Sequence, residues 1–374
     1  MTPASERERP LIAFVSDAVE FAGAEQYMVF IIEALRDHFD FVVVTSDRAP
    51  DETRKRSADA GAETTVVRGL TRRPTIRSTA RLAQTLRRLQ PDVTHINMSD
   101  QGDGLTAFLA ARLARGRNLA TLHNAMPNRD AWKEFLSTAT LRNAETVIAV
   151  SDQIGLYLES RRIGVVVVKH GLLPPKLNPE ARRVLGIDSE EFVVGGVGRL
   201  HRQKGWDILC RAAALVQQSR PDIRFVVIGE GEERQALEQE PTCADIDFRG
   251  YREEASSLLG AFDLLVIPSR YEGLGLVAIE AMLAGIPIVA ARIASLGEVL
   301  GDAARLVPPE NPELLAEAIV ELAGDPAQRA DLVARGAERA PRLFDRDRMA
   351  EQTASVYESL IPGKHGTRRD DVHR

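Results

Sequence analysis

The chain has 374 residues, 44% of them hydrophobic and 27% charged, with a formal net charge of −6 at pH 7. That length exceeds one ordinary core, so two domains are expected, and the negative balance argues against nucleic acid as the main partner. No apolar run approaches the roughly 20 residues that span a bilayer, and the polar opening Met1 to Pro10 lacks a signal-peptide core, so a cytoplasmic location is expected.

Taken in chain order, short apolar runs alternate with helical patterns. Strands are predicted at 11–16, 41–45, 64–67, 93–96, 119–122, 146–150 and 165–168, with helices such as 24–35, 79–89 and 106–114 between them. The runs are β-branched and nearly all apolar, as strands buried on both faces of a parallel sheet require. Three prolines in Leu172-Leu-Pro-Pro-Lys-Leu-Asn-Pro179 then break the pattern. Alternation resumes with strands at 192–197, 225–228, 246–248, 264–267, 288–290 and 305–307. The pattern predicts an α/β chain of two Rossmann-like, doubly wound domains facing a central cleft. The boundaries read as 1–171, a linker at 172–180, 181–343, a C-terminal helix at 344–362 packing back towards the first domain, and a disordered tail at 363–374.

Ligands of such sheets bind beyond the C-terminal ends of strands, and polar motifs cluster at those places. Phe21-Ala-Gly23-Ala-Glu25 follows the first strand and opens the first helix. Asn97-Met-Ser-Asp100-Gln-Gly-Asp103 follows the fourth. Thr121-Leu-His123-Asn124 ends the fifth, and the loop 124–133 adds Asn128, Arg129, Asp130 and Trp132. Asn97, Asp100 and Asn124 are polar enough to hold a sugar or cyclitol, and Trp132 can stack on a sugar ring.

In the second half, Gly198-Arg199-Leu-His-Arg-Gln-Lys204-Gly follows a strand and opens a helix. Only six of the 48 basic residues are lysine, which makes Lys204 conspicuous. Cations at a helix N-terminus face an unfavourable dipole, so this pair suits an anionic ligand. His201 and Arg202, in the same loop, read as solvated. The most informative stretch is Arg270-Tyr-Glu272-Gly-Leu-Gly-Leu-Val-Ala-Ile-Glu280. Here two carboxylates bracket a glycine-rich turn that opens a helix. Such a turn offers N–H groups and a positive dipole end to phosphates, and the acids offer acceptors to hydroxyls on either side. A nucleotide-sugar has that layout.

Other signals are weaker. Gly229-Glu-Gly231-Glu lacks the third glycine of a dinucleotide fingerprint. Asp245-Ile-Asp247 and Asp345-Arg-Asp347 have a metal-transferase form in the wrong places and read as surface charge. Arginines 72, 73, 77, 81, 87 and 88 form a basic stretch that could meet acidic phospholipid. Leu82, Leu86 and Leu89 fit a sheet-covering helix there, so membrane association is the lesser reading. Cys210 and Cys243 are far apart and form no metal or redox motif; Cys210, on an apolar helix face, reads as core packing.

Together and in this order, over residues 11–340, these motifs resemble glycosyltransferase family 4, whose members have the GT-B fold. The resemblance implies a bacterial enzyme that transfers a hexosyl or N-acetylhexosaminyl group from an NDP-sugar, UDP first, to a hydroxyl acceptor such as a sugar, cyclitol or natural-product intermediate. It implies retention of anomeric configuration, no metal, and no cofactor beyond the donor as co-substrate. The first domain would take the acceptor and the second the donor. Arg199 and Lys204 would hold the diphosphate, Glu272 the sugar hydroxyls and Glu280 the ribose hydroxyls. Gly198 belongs to the same donor element, and Gly273, Gly275, Leu276 and Val277 would offer backbone N–H groups. Tyr251, in Phe248-Arg-Gly250-Tyr251, would lie by the base, and His123 by the reacting carbon. Gly23 would approach the donor, although Ala22 stands where the family carries another glycine. A non-catalytic nucleotide-sugar-binding subunit and an NDP-sugar epimerase of the same fold are the competing readings.

Overall fold

A computed structural model of the chain describes residues 7–71, 74–125, 130–188 and 190–361. The chain forms two units, one of residues 1–170 with 346–374 and the other of residues 171–345. Unit 1 runs β1 (Leu11–Ser16), α1 (Gly23–Leu35), β2 (Asp40–Ser46), α2 (Asp51–Ala60), β3 (Glu63–Val67), α3 (Ile76–Leu89) and β4 (Val93–Met98). It continues with α4 (Leu105–Ala114), β5 (Arg117–Leu122), α5 (Ala131–Leu141), β6 (Thr146–Ala149), α6 (Asp152–Ser160) and β7 (Val165–Val167). Unit 2 runs α7 (Ala181–Val184), β8 (Phe192–Val197), α8 (Trp206–Gln217), β9 (Ile223–Ile228), α9 (Arg234–Gln239), β10 (Ile246–Phe248) and β11 (Leu264–Ile267). It ends with α10 (Leu276–Ala284), β12 (Ile288–Ala291), α11 (Ala294–Leu300), β13 (Arg305–Val307), α12 (Pro312–Gly324) and α13 (Pro326–Leu343). The last helix, α14 (Arg346–Leu360), belongs to unit 1.

Both sheets are parallel and doubly wound. The order is β3-β2-β1-β4-β5-β6-β7 in unit 1 and β10-β9-β8-β11-β12-β13 in unit 2. Each chain half therefore starts in mid-sheet, winds outward to one edge, and returns to build the other side. The reversal leaves a crevice beyond the strand ends between β1 and β4, and another between β8 and β11.

The strand residues follow from this layering. All six residues of β1 are buried, because helices cover both faces of a central parallel strand. At the edges the burial lapses: Val66 of β3 and Val166 of β7 are exposed. On α3, Leu82, Leu86 and Leu89 pack inward. That helix starts at Ile76, three residues before its predicted start, because Thr75 and Ser78 cap it reciprocally. The core of unit 1 includes Phe14, Tyr27, Ile31 and Phe39, and α14 adds Met349 and Tyr357 to it. Arg346 fixes the start of α14 to Glu33 of α1 at 2.7 Å.

Two expectations are revised. The proline-rich stretch predicted as a linker at 172–180 falls inside unit 2, where the Asn178 N–H donates to the Ser257 carbonyl at 2.8 Å. Cys210 and Cys243 form a disulfide. Cys210 lies on α8 and Cys243 on the 3-10 turn Pro241–Cys243. The intervening β9 and α9 hide in the sequence a neighbourhood that exists in space. Among the described residues no helix is long and apolar enough to cross a membrane.

Candidate donor site and its counterpart

In unit 2 the loops after β8 and β11 flank the crevice, and they are joined backbone to backbone. The Arg270 N–H donates to the Gln203 carbonyl at 2.8 Å, and Gln203 Nε2 donates to the Tyr271 carbonyl at 2.9 Å. Gly205, with φ +70°, is what lets them approach. A β-carbon there would sit 2.2 Å from the Pro268 carbonyl oxygen, far inside van der Waals contact. Arg270 also grips Asp207 of α8 through two bonds of 2.7 and 2.8 Å and reaches Glu310. That hydrogen bonding holds the Asp207 carboxyl below its ordinary range.

This junction sets Lys204 against Glu272. Lys204 Nζ lies 2.7 and 2.9 Å from the two carboxylate oxygens, and Ser269 Oγ donates to one of them at 2.6 Å. Glu272 is 5% exposed, so its charge depends on these partners. Arg199 leads the same loop, its carbonyl held by Trp206 Nε1 at 2.8 Å. Beyond Glu272, Gly275 takes φ +82° to open α10, and no side chain caps the helix. The N–H groups of the first turn, at Leu276 and Val277, are thus available to an anion. Glu280, one turn further, is half-buried and accepts from Ser256 Oγ at 2.8 Å. Burial pushes its carboxyl up, against the pull of that hydroxyl.

Unit 1 offers a different set at the ends of β1, β4 and β5. His123 follows β5 and is half-buried, with its backbone N–H on the Met98 carbonyl at 3.0 Å. Its Nε2 lies 3.0 Å from Asn97 Oδ1, and the Tyr27 ring stands edge-on at 4.9 Å. Burial, with the imidazoles of His170 and His95 nearby, holds its pKa well below the ordinary histidine range. Asn97 is 3% exposed, and its Nδ2 donates to the Ala24 carbonyl at 2.9 Å. Beside Gly23, Glu25 turns inward rather than towards solvent. It accepts from Ser16 Oγ and the Ala22 N–H, and burial pushes its pKa up to about 7.

The predicted site residues thus separate into groups. Gly198, Arg199, Lys204, Glu272, Gly273, Gly275, Leu276, Val277 and Glu280 lie on the β8 and β11 strand-end loops and α10. Tyr251 follows β10 and is 63% exposed. Gly23, Asn97 and His123 occupy neighbouring strand ends in unit 1. Asp100 is exposed, Asn124 half-buried, and Trp132 stands on the surface of α5, stacked with Phe135 at 5.7 Å. Asn128 and Arg129 lie outside the described residues, as do Arg72, Arg73 and the tail from 362. Of the basic stretch, Arg81 and Arg88 join Arg68 along a groove of about 480 Å³ beside β3.

Some expectations change. Asn97, expected to meet the acceptor, has both polar side-chain atoms engaged inside unit 1. His201, expected to be solvated, caps the 3-10 turn Arg202–Lys204 by accepting from the Gln203 N–H at 3.1 Å. Asp247 is held by Arg224 and Arg249. Gly229 and Gly231 lie against the carbonyls of Gly198 and Leu200, so they are packing glycines. Ser269, Ser256, Gln203, Arg270 and Asp207 went unassigned in the sequence. Only Arg270 and Asp207 had a visible signal, as charged residues beside the two motifs.

Comparison with known proteins bears on the family and the fold. Residues 21–174 match the model described as Glycosyltransferase Family 4, and residues 191–325 match that described as Glycosyl transferases group 1. The lipopolysaccharide core biosynthesis mannosyltransferase LpsB of Rhizobium meliloti is 28% identical over 276 residues, 69% of this chain and 77% of that protein. The D-inositol 3-phosphate glycosyltransferase of Corynebacterium urealyticum is 33% identical over 226 residues, 54% of this chain and 53% of that one. The matched region thus spans about half the length of the latter relative. Among solved structures, HepE of Anabaena, crystallised with UDP and glucose, superposes with a TM-score of 0.81 at 22% identity. The superposition covers 94% of this chain and 100% of HepE, a likeness of fold.

Proposed function

Because the chain belongs to glycosyltransferase family 4, we propose that it moves a hexosyl or N-acetylhexosaminyl group from a UDP-sugar to a hydroxyl acceptor. Anomeric configuration is retained and no metal is used. The observation that carries this reading is Lys204 held 2.7 Å from Glu272 beside the uncapped start of α10. A cation, a hydroxyl-binding acid and a row of N–H groups stand together there. A diphosphate esterified to a sugar needs all three.

In the reaction, the bond from the anomeric carbon to the diphosphate oxygen breaks, and its electron pair stays on the leaving diphosphate. The acceptor oxygen bonds that carbon from the same face, and its proton passes to a leaving phosphate oxygen. Negative charge therefore grows where Arg199, Lys204 and the α10 N–H groups meet the phosphates, and fixed charges there favour the transition state over the ground state. Glu272 orients the sugar hydroxyls and Glu280 the ribose. Within unit 1, His123 is the group that would meet a substrate hydroxyl.

A panel of UDP-, GDP-, ADP- and TDP-sugars tests the proposal, first by thermal shift and then by mass spectrometry with candidate acceptors. Stabilisation by a UDP-sugar and a product of retained configuration by NMR are expected. An inverted product overturns the mechanism. Conversion of the donor without an acceptor points to an epimerase, and binding without any turnover to a non-catalytic subunit.

A further inference from the structure

The orientation of Asn97 is fixed by its surroundings. The Ala24 carbonyl can only accept, so the amide group 2.9 Å from it is Nδ2. Oδ1 is then the atom 3.0 Å from His123 Nε2, and a carbonyl oxygen cannot donate. Nε2 must therefore carry the proton. A neutral imidazole has one such proton, which leaves Nδ1 with a bare lone pair. Nδ1 has no hydrogen-bond partner among the described residues, and the residue as a whole is half-buried. The ring is held in place by the edge-on contact with Tyr27 and by the backbone bond to Met98.

We infer that Asn97 is a positioning residue that locks His123 in the Nε2–H tautomer, so that Nδ1 acts only as a hydrogen-bond acceptor for a substrate hydroxyl. The role in transfer rests on the function proposed above; the tautomer does not. The lock has a chemical consequence. A sugar hydroxyl can donate or accept, and beside a bare Nδ1 it must donate. Its lone pairs are then turned away from the ring, and His123 is excluded as an acid towards the leaving group. An amide suits this task better than a carboxylate, which would draw a second proton onto the ring. Because Ala24 lies in the first turn of α1, next to Gly23, the same amide ties His123 to the start of that helix.

The test is long-range nitrogen–proton NMR on the isotope-labelled full chain, with His123 identified among the seven histidines by its loss in His123→Gln. The expected result is a single neutral tautomer protonated at Nε2 across about pH 6 to 8. A proton on Nδ1, or averaging between the nitrogens, overturns the inference. Asn97→Ala should restore averaging and lower kcat about tenfold with KM nearly unchanged, the size of one lost polar contact. Unchanged kcat in that variant also overturns it. Asn97→Asp should keep activity at alkaline pH and lose it on acidification, where the wild type stays flat. If no donor in the panel is turned over, the transfer proposal fails, and the wild-type spectrum still decides the tautomer.

Discussion

Glu272 and Glu25 are both nearly sealed from solvent, at 5% and 1% exposure, yet they meet opposite surroundings. At the end of β11, Glu272 faces the Lys204 ammonium at 2.7 Å and a serine hydroxyl. Beyond β1, Glu25 accepts from the Ser16 hydroxyl and the Ala22 N–H, and burial, with the Asp17 carboxylate nearby, lifts its pKa to about 7. The neighbours repeat the contrast. In unit 2, Arg270 clasps Asp207 and Glu310. In unit 1, His95 lies between Tyr357 and Thr121 with its pKa lowered to about 3, and His123 is held neutral. One strand-end site is built to keep charge and the other to suppress it. A phosphate-bearing donor suits the first; the hydroxyls of an uncharged ligand suit the second, where a burdened charge would go unmatched.

Removing the cation from the charged site is the harshest test of this contrast. Lys204→Met should cut kcat/KM by about 10³. It also strands a buried carboxylate, costing roughly 3 kcal/mol in a denaturant titration. The same change giving less than about a tenfold loss would show that the ammonium is not used on the diphosphate.

The two units also differ in covalent bracing, since both cysteines of the chain lie in unit 2. Reduction, or the double change Cys210→Ala with Cys243→Ala, opens a loop of sequence separation 33. It should lower the stability of unit 2 by on the order of 3–4 kcal/mol in the chain-entropy view. Calorimetry with and without reductant should show only that unit's transition moving down.

Glu25 probes the neutral site. A carboxyl whose folded pKa is raised contributes most below its ordinary value of 4.5, and that contribution is lost as pH rises through about 7. Glu25→Gln should therefore stabilise the protein at pH 8 by up to roughly 3 kcal/mol, a gain that fades towards pH 4.5. Melting curves across pH check it, and a pH-independent difference would contradict the assignment. The smallest effect is expected at Ser256→Ala. Loss of that hydroxyl should push Glu280 further up and weaken donor binding about threefold to fivefold, more so in acid. Calorimetric titration of UDP-sugar at two pH values measures it.

The sheets were legible because a buried parallel strand can be little else than a short β-branched run. β1, β8, β10, β11 and β13 lie where the apolar pattern ends. Helix starts were less so: nothing apolar marks Thr75, whose role is a cap. In the sites, the glycine turns and charged residues were visible because they sit at strand ends. What they touch was not. Lys204 and Glu272 are separated by 68 residues, and the approach of Gly205 to Pro268, with the bonds between Gln203 and Arg270–Tyr271, makes them neighbours. Asn97 looked like a free polar residue because the sequence does not show that Ala24 and His123 close in on either side. The disulfide escaped for the same reason, as β9 and α9 lie between its halves.

The Lys204–Glu272 pair has one more consequence. With its counter-ion already in place, the ammonium offers little to chloride or inorganic phosphate, which could claim it only by leaving the carboxylate stranded. On the proposed transfer, an intact donor would avoid that penalty, because its sugar hydroxyls would take over Glu272 while its phosphates took Lys204. After transfer the sugar is gone and the nucleoside diphosphate must compete with Glu272 for the same ammonium. On that proposal the site would be biased towards shedding its product, with the ion pair acting as the spring that resets it for the next turnover.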